Sequence, residues 1–312
     1  MIIKLGYSET LDPEIGGYTS LGDVLRTTPI LHCFKNDHIT WLVDESAYPL
    51  LKNNSFINRI LFYNLTTVLQ LQEEQFDIVI NLEKVPGICA LAGNIKAWLR
   101  FGYRFDSALG EARSYENSHN AFQVYNDLEN KKQARHIWQE ILFEMIGQKW
   151  HGEKYIFAER PKTNNNIIGL NYLIGRKWPS KAWPRKKWDD LSKLLGKNGY
   201  EISWQDGRND LETYIDWVNR CNVIITADSL GLHLAIALQK NIIALFGPTL
   251  EHEVYLYDLG YKILPDATYD CIPCLKNQCR EKVPCMDTIS IETVFKKIKE
   301  ITWWGKLQSL KS

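Results

Sequence analysis

The sequence predicts an α/β protein built from two Rossmann-like domains in tandem. Three observations carry this reading. Short apolar runs alternate with helix-length amphipathic segments, the pattern of parallel α/β architecture. The alternation is interrupted once, at mid-chain, by the polar stretch "HGEKYIFAERPKTNNN" (151–166), and then restarts. A chain of 312 residues is long for one average domain and suits two of similar size. The expected domains are therefore residues 1–160 and 161–312.

In the first half, "IIKLG" (2–6), "HITWLVD" (38–44), "RILFYN" (59–64), "FDIVINLE" (76–83) and "WLRFGY" (98–103) read as strands. Between them "GDVLRTTPILHCFK" (22–35) and "TVLQLQEEQ" (67–75) read as helices, and "HIWQEILFEMIG" (136–147) closes the unit. After the linker come strand "IIGLNYL" (167–173), helix "WDDLSKLLGK" (188–197), strand "EISW" (201–204) and helix "LETYIDWVNRC" (211–221). Strand "NVIITAD" (222–228), helix "LGLHLAIALQK" (230–240) and strand "NIIALFG" (241–247) complete the rhythm. A basic helix, "SIETVFKKIKEITWWGKLQ" (290–308), ends the chain.

Composition excludes several classes. Lys plus Arg equals Asp plus Glu at 37 each, so no global basic field favours nucleic acid. The first residues carry no apolar h-region, and no apolar run approaches the roughly 18 residues a membrane span needs. A cytoplasmic protein is expected. Its seven cysteines, four of them between 271 and 285, then suggest thiols or a metal site rather than a disulfide framework.

Three constellations carry chemistry. Ligands of open parallel sheets bind beyond the carboxyl ends of strands, and Asp228, Ser229, Gly231 and His233 stand where strand "NVIIT" passes into a helix. Unpaired N–H groups and a partial positive charge at that helix start suit a diphosphate. Gly231 would allow close approach, and His233 could donate to a phosphate or a sugar hydroxyl. The plainer reading is that Ser229 caps the helix and His233 satisfies a carbonyl. In "GRKWPSKAWPRKKW" (175–188), Trp-Pro pairs stiffen a loop around Lys181, which either neutralises a phosphate or belongs to a solvated basic loop. In "GGYTSLGDVLRTTP" (16–29), the spacing Gly17-x4-Gly22 imitates a P-loop, but Asp23 stands where its lysine must be. Asp23 is a helix-start acid or, functionally, a general base.

The segments "SLGDVLRTTPIL", "NYLIGRKWPSKAWP", "DSLGLHLAIAL", "ALFGPT" and the closing cysteine run with "MDTI" resemble the family-nine glycosyltransferases, the ADP-heptose:lipopolysaccharide heptosyltransferases. The resemblance implies a GT-B fold, two facing Rossmann-like domains with a cleft between them. The acceptor would sit on the N-terminal domain and an ADP-sugar on the C-terminal one. By position Asp23 resembles the family's catalytic base, Lys181 its donor-phosphate lysine, and Asp228, Ser229 and His233 its donor pocket. The chain departs from the family in the longer stretch "YSETLDPEIGGYTS" (7–20) and in Leu230, where many relatives have glycine.

These expectations amount to an inverting glycosyltransferase acting on a glycan, lipopolysaccharide or protein acceptor. No cofactor is needed for catalysis, since no Asp-x-Asp presents paired carboxylates to a divalent ion. The rivals are a sugar-nucleotide epimerase of GT-B fold and a non-catalytic binding module. Cys271, Cys274, Cys279 and Cys285, spaced C-x2-C-x4-C-x5-C, are candidates for a structural zinc or iron, with a disulfide or ordinary packing as the alternatives. Iron in a comparable cluster is what the resemblance brings from heptosyltransferases acting on autotransporters. The terminal helix, with basic residues beside Trp303 and Trp304, either lies on the inner membrane surface or packs on the protein body.

Overall fold

The structure, a computed structural model described over residues 1–7, 19–161, 163, 165–207, 209–266 and 268–309, divides into two compact units, Met1–Glu159 and Arg160–Ser312. Side chains of the final helix are described through residue 302. Gly17 and most of the stretch 7–20 lie outside the described residues.

The first unit holds a six-stranded sheet. In chain order its strands are β1 (Ile2–Ile3), β2 (Thr40–Val43), β3 (Arg59–Phe62), β4 (Gln75–Asn81), β5 (Lys96–Asp106) and β6 (Glu111–Ser114). They lie side by side as β3-β2-β1-β4-β5-β6, parallel except for the last pair. The central strands are apolar on both faces, as burial under helices requires: every residue of β1 and β2 is buried. The sheet ends in a β5–β6 hairpin whose turn is tied by Asp106 Oδ1 accepting from the amides of Ala108 and Leu109.

The single helix expected over 22–35 is two pieces, an α-helical turn Leu21–Leu25 and a 3-10 run Thr28–Phe34. Pro29 is the physical reason, because it lacks an N–H and disfavours helical backbone at the residue before it. The helix Pro86–Asn94, the strand β6 and the helices His119–Asn126 and Leu128–Gln133 had no clear signature in the sequence. Pro86–Asn94, for example, is apolar nearly all round and shows no amphipathic period.

The second unit carries β7 (Ile167–Asn171), β8 (Glu201–Trp204), β9 (Val223–Ala227), β10 (Asn241–Leu245) and β11 (Gly260–Ile263). All are parallel, in the order β11-β10-β9-β7-β8. The helix Arg185–Lys197 buries Trp188, Leu191 and Leu195 against this sheet, one helical face repeating at three and four residues. The final helix Ile291–Ser309 buries Val294, Ile298 and Ile301 in the same core. In this sheet strand order reverses between β7 and β9. That is the switch point at which open α/β sheets form ligand crevices.

Candidate functional site

The carboxyl ends of β7 and β9 are joined by a buried polar network. Asn171, the last residue of β7, donates from Nδ2 to the Thr226 hydroxyl (2.7 Å) and to Ser229 Oγ (3.3 Å). The Tyr214 hydroxyl, from the helix Leu211–Arg220, donates to Asn171 Oδ1 at 2.8 Å. Full burial pushes the Tyr214 phenol upward, so it stays neutral and remains a donor. Ser229 occupies the N-cap position of the helix Leu230–Ala237, but its side chain makes no capping bond. Its hydroxyl instead faces Asn171 and, at 3.2 Å, Thr226. The simple capping role of Ser229 is therefore not what the fold uses.

Gly231 has a packing reason as well. A Cβ there would lie 2.2 Å from Asn171 Nδ2 and 2.5 Å from the Tyr214 hydroxyl, so only hydrogen lets the helix sit this close to the network. Asn171, Tyr214 and Thr226 were missed in the sequence. The available signal was an asparagine ending an otherwise apolar strand.

Lys181 reaches this helix mouth from the loop after β7. Its ammonium donates to Asp228 Oδ2 at 2.8 Å and to the Asp228 carbonyl at 3.0 Å. An ammonium has three N–H donors, so one remains for a ligand. The Asp228 carboxyl falls to about 2: burial opposes ionisation, but Lys181, His233 and the Thr249 hydroxyl outweigh it. His233 is itself buried. The Lys181 loop is built rather than floppy. Trp183 is buried and donates from its indole to the Ile289 carbonyl, and it meets Trp188 edge-on at 5.1 Å. The Lys181 ammonium also lies 5.2 Å from the centre of the Trp178 ring. Lys181, Asp228, Ser229, Gly231 and His233 thus come together.

Asp23 lies in the first unit, in the first turn of Leu21–Leu25. Its carboxylate is 2.9 Å from Arg26 Nε, and the Arg26 guanidinium stacks 4.3 Å from the centre of the buried Trp138 ring. A partly exposed carboxylate is thus ion-paired with a cation that packs on a buried ring.

Cys271, Cys274, Cys279 and Cys285 are free thiols in one loop. Cys271 and Cys279 are exposed and Cys285 is buried. Burial, with the three neighbouring thiols adding to it, pushes the Cys285 thiol up to about 11. Among the described residues no three His, Cys, Asp or Glu side chains converge as a metal site. Also among them, no helix is long and apolar enough to cross a membrane. Trp303 and Trp304 lie beyond the described side chains.

Residues 206–284, which include Asp228, Ser229, Gly231 and His233 but not Lys181, match glycosyltransferase family 9 (heptosyltransferase). Over 91% of its length the chain is 22% identical to a lipopolysaccharide heptosyltransferase 1 from Campylobacter coli, covering 96% of that protein. An E. coli ADP-heptose LPS heptosyltransferase II superposes with a TM-score of 0.69 at 14% identity, over 98% of this chain and 99% of that one. The E. coli heptosyltransferase WaaC with ADP-2-deoxy-2-fluoro heptose gives a TM-score of 0.57 at 17% identity, over 96% and 99%. The shared fold is GT-B.

Proposed function

We propose that this chain is a heptosyltransferase-like glycosyltransferase of the family 9 type, and that it moves heptose from ADP-heptose to a hydroxyl of a lipopolysaccharide-type acceptor. The observation that carries the reading is the Lys181–Asp228 pair at the mouth of the helix Leu230–Ala237, on the switch point of the second sheet. A helix start offers a diphosphate unpaired amides, and Lys181 offers a fixed cation with one donor to spare. The donor would occupy the second unit and the acceptor the first. The named substrates of the relatives, lipopolysaccharide and an ADP-heptose analogue, support the same assignment.

In this reading Asp23 accepts the proton of the acceptor hydroxyl as that oxygen attacks the anomeric carbon. Attack comes from the face opposite the departing ADP, so the anomeric centre inverts. Positive charge builds on the sugar ring and negative charge on the leaving diphosphate. Lys181 and the helix start stabilise the latter, and His233 donates to a phosphate oxygen or a sugar hydroxyl. Arg26 pairs with the Asp23 carboxylate and favours its ionised form. No metal takes part in any step of this scheme.

We propose further that Cys271, Cys274, Cys279 and Cys285 hold a structural zinc or iron ion. The four thiols lie in one loop and supply the soft donor set such ions prefer, but they do not converge in this structure, so an ion would have to draw the loop together around it. Lys296 and Lys299, exposed on the final helix, would meet anionic lipid if the enzyme works at the inner leaflet of the membrane from the cytoplasm.

The test is incubation of purified protein with ADP-heptose and other nucleotide sugars, with and without acceptor glycans. Heptose transferred only in the presence of acceptor is the expected result. A changed sugar nucleotide without acceptor would mean an epimerase, and binding without turnover a non-catalytic module.

A further inference from the structure

The cysteine loop touches the donor side of the second unit at three places. Ser180, the residue before Lys181, is tied to it twice: its amide donates to the Asn277 carbonyl at 3.1 Å and its hydroxyl to the Lys276 carbonyl at 2.6 Å. The next residue back in the loop, Leu275, donates its amide to the Pro248 carbonyl at 2.8 Å. Pro248 precedes Thr249, whose buried hydroxyl is near enough to Asp228 to favour its ionised form. At the far end of the loop, Cys285 and Met286 pack on Gly247, where a Cβ would stand 2.9 Å from Cys285 Sγ and 2.5 Å from Met286 Sδ.

Two of the side chains around Asp228, Lys181 and Thr249, therefore hang from segments that the same loop fastens. The fastening uses backbone carbonyls and amides. A backbone anchor works only while the loop keeps its conformation, and little regular structure holds it: among the described residues no helix or strand lies between β11 and Cys285. The four thiols are the chemistry that spans it.

We propose that loop 271–285 is a positioning element for the donor pocket, with Ser180 as the positioning residue through which it sets Lys181. Chemistry at the thiols then reads out as affinity for a nucleoside diphosphate. The inference rests on the donor-pocket reading, and it requires no particular occupant of the thiols.

Calorimetry on the full chain, with ADP as the probe, and hydrogen exchange at the Ser180 amide test it together. Ser180→Ala removes only the hydroxyl bond and should weaken ADP binding about two- to tenfold, the worth of one hydrogen bond, while Ser180→Thr restores it. Alkylation of the exposed Cys271 and Cys279 in the folded wild-type protein, after chelator treatment and with the modification verified by mass, should speed exchange at the Ser180 amide by about tenfold and leave β9 unchanged, relative to chelator alone. Cys274→Ser should act in the same direction if it folds, and the alkylation arm stands without it. Unchanged ADP affinity in Ser180→Ala beside a weakened Lys181→Ala would overturn the role of Ser180. Unaltered Ser180 exchange after alkylation would overturn the role of the loop. If Lys181→Ala also binds ADP normally, the donor-pocket reading is what has failed, and the exchange measurement alone decides whether the loop fastens Ser180.

Discussion

The Lys181 ammonium is bound twice by Asp228, once by the carboxylate and once by the backbone carbonyl. Both side chains are largely buried, 14% and 15% exposed. The pair fixes a cation at the mouth of a helix while leaving it one free donor.

Removing that cation should be felt by the ligand. Lys181→Ala is expected to weaken ADP binding by about tenfold or more, since a charge-assisted bond to the diphosphate is lost and Asp228 is left unpaired beside it. His233→Ala should weaken it less. Calorimetry with ADP checks both, and wild-type affinity in both variants would return the residues to structural roles.

Asp228 makes the second unit sensitive to acid. Its folded-state carboxyl, at about 2, lies below the ordinary value of 3.8, so the stability it contributes is present above about pH 4 and lost as pH falls toward 2. The contribution is about 2 kcal/mol. Urea midpoints measured between pH 2 and 5 should fall more steeply for the wild type than for Asp228→Asn. Parallel curves would contradict the assignment.

Gly231→Ala should destabilise the protein by about 1–3 kcal/mol, because the new methyl displaces Asn171 and Tyr214. Chemical denaturation reads this directly. An unchanged midpoint would mean the network yields at no cost.

How much of this was legible in the sequence depends on how local each cause is. All five expected strands of the first half formed, because the apolar runs that signal a buried strand are contiguous. The split at Pro29 was local too, yet the apolar period running through 22–35 masked it. Helix Pro86–Asn94 shows no amphipathic face, so no period announced it. At the candidate site, Asp228 to His233 stood out because polar residues interrupted a greasy run. Asn171 and Tyr214 did not, since their pairing joins residues 43 apart and exists only once β7 and β9 are neighbours. The grip of the cysteine loop on Ser180 spans 96 residues and was equally invisible.

The thiol cluster is checked by composition. Protein purified without chelator should carry close to one zinc or iron per chain, and Cys274→Ser should lower the metal content and the melting temperature together. Metal-free protein of full stability, with all four thiols reactive, would exclude the ion.

The most direct measurement of the central claim is heptose transfer from ADP-heptose to a lipopolysaccharide-type acceptor by the wild type and by Asp23→Asn. With Asp23 as general base, the variant should lose roughly two to four orders of magnitude in turnover. Its ADP affinity should remain that of the wild type, since the substitution lies in the other unit. Near-normal turnover by Asp23→Asn would contradict the account.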